Sequence, residues 1–159
     1  MGCDIHLFAE AKSNQSFLEK VIFWEKPKWQ SIEKWEIDPD YDEFRMTIPY
    51  KKEFYNGGRN YNLFCALCGV RSYQFNGNPA FITLPRGIPD DSCQEIKDYV
   101  ASWGSDGHSH NYNTLKELKE FNWSDYGDTV KYFLDEVIPK MEKVSVCDEE
   151  VRIVYFFDN

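Results

Sequence analysis

The sequence predicts an α+β fold: a mostly antiparallel sheet that includes the first and last strands, with three to four helices packed on it. Three observations predict this. The opening MGCDIHLFAEAK alternates with a period of two, the mark of a half-buried strand. The closing EEVRIVYFF is a short, strongly apolar and β-branched run, a second strand. Between them lie segments with helical spacing and recognisable caps. The 159 residues read as one domain, 1–159, with the helices on one face of the sheet.

In chain order, Cys3, Ile5, Leu7 and Ala9 point one way in the first strand, while Asp4, His6, Phe8 and Glu10 point the other. SNQS makes a turn and FLEKVIFW returns as a hairpin partner; KWQSIEKWEI adds a further strand and DPDYDEF is an acidic loop. RNYNLFCALCGV forms a short helix with Leu63, Leu67 and Val70 on its apolar face, ended by Gly69. NGNPAFITLPRGIPDD is turn-rich. Ser92 and Glu95 have capping-box spacing and start the helix SCQEIKDYVASW; Thr114 and Glu117 repeat the box and open TLKELKEF. GSDGHSHNYN between them reads as a loop. In DTVKYFLDEVIPKMEKV the apolar residues recur at helical spacing, with Pro139 as a kink.

Composition excludes several function classes. A net charge of −9 argues against duplex nucleic acid as a partner, because phosphate neutralisation needs clustered Lys and Arg. The charge is uneven: residues 51–90 carry Lys51, Lys52, Arg59, Arg71 and Arg86 against only Glu53 and Asp90. A basic middle in an acidic protein suits a small anion. The plainly apolar runs, such as VIFW and IVYFF, are far too short to span a membrane, so no membrane partner is expected. Five cysteines without regular spacing, Cys3, Cys65, Cys68, Cys93 and Cys147, fit reduced thiols in a cytoplasmic protein.

The three histidines fall in two polar clusters, each with an aspartate two residues ahead of its first histidine: Asp4-Ile-His6 and Asp106-Gly-His108-Ser-His110. Two residues apart on a strand, Asp4 and His6 share a face and can reach one ion or substrate. An H-x-H pair near a carboxylate suits a catalytic divalent metal such as zinc or manganese. Asp4, His6, Asp106, His108 and His110 are therefore the candidate metal ligands. Asp4, His6, His108 and His110 are also candidates for direct acid–base catalysis. The plainer alternatives are a polar pair in which Asp4 orients His6, and a solvated loop. Arg59, Arg71 and Arg86 each sit within two residues of a glycine, and with Tyr61 they form the candidate substrate-binding group, guanidinium being a paired donor to phosphate. Structural ion pairs are the competing account of the arginines. Cys65-x-x-Cys68 lacks a second CxxC and is read as a pair of core thiols.

MGCDIHLFAE, RNYNLFCALCGVR, LPRGIPDD and SDGHSHNYNTLKEL, in this order, resemble a family of small tailed-phage and prophage proteins with an MGCDIH opening and a DGHSH motif. The resemblance covers nearly the whole chain and supplies a setting, the host cytoplasm, rather than a mechanism. Cys65 and Cys68 stand where the family pattern prefers alanine. The paired H-x-[ST] motifs of two-histidine phosphoesterases are not met, since His6-Leu7-Phe8 departs from them. Together these readings point to a phosphodiesterase-like hydrolase of a small nucleotide, such as a host immune signal. The alternatives are a binding protein that sequesters such a nucleotide uncut, and an acidic inhibitor of a host protein.

Overall fold

The computed structural model describes residues 2–12, 27–41 and 44–159. The SNQS turn and the FLEKVIFW strand lie outside the described residues, as do two residues of the acidic loop. The main sheet has four strands in the order β2-β1-β6-β5, every pair antiparallel: β1 (Ile5–Lys12), β2 (Trp29–Ser31), β5 (His108–Thr114) and β6 (Val151–Phe157). A second, two-stranded sheet pairs β3 (Glu36–Ile37) with β4 (Met46–Thr47). The helices are α1 (Tyr61–Cys68), α2 (Gln94–Trp103), α3 (Leu115–Glu120) and α4 (Ile138–Val144). The fold is thus α+β, with the first and last strands paired from Ile5↔Phe157 to Ala11↔Val151. Among the described residues no helix is long and apolar enough to cross a membrane.

The helices cover both faces of the sheet rather than one. Leu7 and Ala9 of β1, with Ile153, Tyr155 and Phe157 of β6, pack under α1, α3 and α4. Phe8, Val154 and Phe156 pack instead against Ile96 of α2. The reason lies in β6, whose seven residues are all buried: a strand apolar on both sides needs a layer on both sides.

Local signals account for most helix ends. The Asn60 side chain accepts a hydrogen bond from the Leu63 N–H at 3.1 Å, and Gly69, left-handed at φ 77°, closes α1. Thr114 and Glu117 form the full capping box of α3. Ser92 does not cap α2, which begins after Cys93; its hydroxyl donates to the buried Glu10 carboxylate at 2.9 Å. Pro139 enters in the first turn of α4, behind a π-helical stretch, Phe133–Val137, whose wider turn accommodates the missing N–H. GSDGHSHNYN is a loop only as far as Gly107; β5 begins at His108.

Candidate functional site

One end of the main sheet gathers the start of β1, the start of β5 and the end of β6. His6 lies opposite Phe156, and His108 opposite Phe157. All three imidazoles stack on these two consecutive phenylalanines. His6 lies 4.6 Å and His110 5.4 Å from the Phe156 ring, and His108 lies 6.0 Å from Phe157, with interplanar angles of 10°, 21° and 27°. β6 runs between the two histidine segments, so they share an end of the sheet without touching across it. A regular strand would put His108 and His110 on one face. A β-bulge between His108 and Asn111, with Ser109 at φ 52°, sends His108 to the Phe157 face and His110 to the Phe156 face.

His6 is the best-organised of the three. Its Nε2 donates to Asp158 Oδ2 at 3.0 Å, and Asp158 Oδ1 accepts the Asp4 backbone N–H at 2.9 Å. With a carboxylate on Nε2, Nδ1 carries the lone pair, and it faces the Tyr99 hydroxyl at 3.4 Å. Burial raises the Tyr99 pKa, so that hydroxyl keeps its proton. Trp103 packs against the ring at 4.3 Å. Asp158, not Asp4, therefore orients His6. The D-x-H spacing gave no hint of this partner, which lies 152 residues away and is delivered by the pairing of β1 with β6.

Asp4 is held by Arg59 instead, through a bidentate pair of 2.5 and 2.8 Å that also lowers its pKa. The guanidinium lies directly on the Gly2 backbone, where a Cβ would stand 2.2 Å from Nη1. Arg71, left-handed at φ 63°, donates to the Tyr73 hydroxyl at 2.5 Å and stands 5.3 Å from the Tyr61 ring. Arg86 belongs elsewhere. It forks onto Glu117 at 2.8 and 3.0 Å and stacks over Tyr112 at 3.9 Å, locking the start of α3 rather than facing the histidines. Of the predicted substrate-binding group, Arg59, Tyr61 and Arg71 lie near β1, and Arg86 is a structural clamp.

The five expected metal ligands do not converge. Asp4 is turned to Arg59, His6 is tied to Asp158, His108 is on the far face, and Asp106 sits exposed in a 3₁₀ turn. Among the described residues no three His, Cys, Asp or Glu side chains come together to hold a metal ion. Burial lowers the His110 pKa, with His108 adding to the effect. The five thiols are free, and burial pushes Cys68 up to about 11 and Cys93 up to about 12, as expected of core residues.

Residues that the sequence did not single out complete the site. A cavity of about 70 Å³ beside His6 is lined by Tyr99, Glu33, Glu53 and Tyr55, room for a few waters. Glu33 accepts the Ala9 and Phe54 N–H groups at 3.1 and 2.7 Å. Burial nevertheless pushes its carboxyl up to about 7, and raises Glu53 as well. A single glutamate inside KWQSIEKWEI carries no motif, so only burial reveals it. No protein-family profile matches this chain, and no curated protein or solved structure shows significant similarity to it.

Proposed function

We propose that this protein is a hydrolase of a phosphodiester-bearing small nucleotide that works by general acid–base catalysis at His6. The observation that carries the reading is the Asp158–His6–Tyr99 string: a carboxylate on one ring nitrogen and a protonated hydroxyl facing the other. A water in the cavity beside His6 gives its proton to Nδ1 as it attacks phosphorus, and Asp158 stabilises the imidazolium that forms. The Tyr99 hydroxyl protonates the leaving oxygen, and the tyrosinate then recovers a proton from His6 Nδ1. Arg59 supplies the phosphate grip. Its pair with Asp4 is about half exposed and weakly held in water, so a substrate phosphate exchanges for the Asp4 carboxylate. The phage resemblance of the sequence directs the substrate search to host immune nucleotides, cyclic dinucleotides first.

The test is product analysis over a panel of cyclic and linear dinucleotides. Turnover is expected to persist in chelator and to fall at least roughly a hundredfold in His6→Ala and Asp158→Asn, the usual scale for loss of a general base. The absence of turnover across the panel overturns the catalytic reading. The His6 side chain is only 18% exposed and closed in by Phe156 and Trp103, which favours a second reading, sequestration without cleavage. In that case ligand is recovered intact, and His6→Ala leaves binding unchanged.

A further inference from the structure

Tyr99 also lines a groove of about 630 Å³ between the β3–β4 hairpin and α2, within the size range of small-molecule sites. Its floor holds Arg45, whose guanidinium lies 4.5 Å from the Tyr41 ring and 5.5 Å from the Tyr99 ring. Arg45 Nε is buried and has no hydrogen-bond partner among the described residues. An orphaned buried donor is costly, and an acceptor arriving in the groove would satisfy it. Phe44, 80% exposed, lines the groove with open aromatic surface, and Tyr41, 55% exposed, adds a ring that carries Arg45 on one face. Such surface is unfavourable in water unless something stacks on it.

Charge narrows the occupant. Among the described residues that line the groove, Glu95 and Asp98 outnumber the one guanidinium, so a phosphate is repelled here. A neutral planar ring fits if it carries acceptors on one edge and donors on another. The acceptor edge meets arginine and the donor edge meets carboxylate. Guanine matches both: O6 and N7 accept from a guanidinium, and its N–H groups donate to a carboxylate.

We propose that this groove is the base-binding half of the site: a purine base, guanine by hydrogen-bond match, stacks on Phe44 and Tyr41 with Arg45 on its acceptor edge and Asp98 on its donor edge. The inference rests on the nucleotide reading above and adds the identity of the base to it. Tyr99 joins the two halves, since its ring borders the groove and its hydroxyl reaches His6.

Calorimetric titration of the whole protein with GMP, CMP and ribose 5-phosphate tests it. GMP is expected to bind roughly tenfold or more tightly than either of the others, and Phe44→Ala and Arg45→Ala are each expected to weaken it by roughly tenfold. Phe44 and Asp98 are exposed, so Phe44→Ala and Asp98→Asn keep the fold and report on the groove even where Arg45→Ala does not. Equal binding of GMP and ribose 5-phosphate, or GMP binding unmoved by Phe44→Ala and Asp98→Asn, overturns the assignment. GMP binding that depends on Phe44 and Asp98, without phosphodiester cleavage, supports the groove and removes the hydrolase. His6-dependent turnover indifferent to Phe44→Ala and Asp98→Asn does the reverse.

Discussion

Glu33 shows how burial can set the chemistry of one side chain against its own hydrogen bonds. Two backbone N–H donors favour its ionised form, yet desolvation wins and holds the folded carboxyl at about 7, against an ordinary value of 4.5. Between those values the folded chain keeps a proton that the unfolded chain has lost. The stabilising contribution of this group is complete below about pH 4.5, declines as pH rises, and is gone above about pH 7. Glu33→Gln cannot ionise and lacks this slope. Urea unfolding should therefore show wild type losing up to roughly 3 kcal/mol relative to the variant between pH 4.5 and 8. A pH-independent difference between the two proteins would contradict this. His6 makes the complementary point. Its clustering with Asp4 was legible in the sequence, but its partners, Asp158 and Tyr99, were not, because both are distant in the chain.

At the scale of elements, the caps divide into those set locally and those claimed by the tertiary structure. Thr114 and Glu117 satisfy each other within one turn, so the sequence spacing alone was sufficient. Thr114→Ala should cost about 1 kcal/mol in denaturant unfolding, with the unfolding slope unchanged. A loss of less than a few tenths would mean that the clamp of Arg86 on Glu117 holds α3 without the box. Ser92 and Glu95 have the same spacing, yet Glu10 takes the Ser92 hydroxyl and the Cys93 N–H from across the sheet. A buried carboxylate outcompetes a local cap because its own desolvation must be offset. The short strand β5 was read as a loop for a related reason. Its polar residues, Asn111 and Asn113, are buried around the Tyr155 hydroxyl, a network that alternation of apolar residues cannot reveal.

For the molecule as a whole, the face of the sheet that carries His6 is anchored by an ionic network around the buried Glu10–Arg152 pair. Arg152 donates from Nε to Glu10 at 2.6 Å and from Nη2 to Asp91 at 2.8 Å, and stacks on Trp29 at 3.8 Å. Glu10 and Arg152 are directly opposite in the β1–β6 register, so the network ties the central strand pair to the segment that leads into α2. Arg152→Met leaves the Glu10 carboxylate buried without its cation and should destabilise the protein by about 3–5 kcal/mol. Adding Glu10→Leu should restore most of that loss, since a fully apolar pair removes the stranded charge. A double variant no more stable than Arg152→Met alone would show that the network does more than neutralise a charge. α2 carries both Tyr99 and Trp103, so loosening this anchor is also expected to disturb His6.

The sequence by itself determined the α+β class, the strand character of the two ends, the Gly69 stop of α1, the capping box of α3, and the gathering of all three histidines into two segments. Each of these follows from short-range periodicity or from residue pairs three or four apart. Only the tertiary structure decided which face each histidine takes, that Asp158 rather than Asp4 orients His6, that Arg86 clamps a helix, and that burial raises the Glu33 carboxyl to about 7. Those outcomes depend on strand register and on a single bulge at Ser109, where one extra residue reverses the faces of a strand and burial then sets the charge of what faces inward.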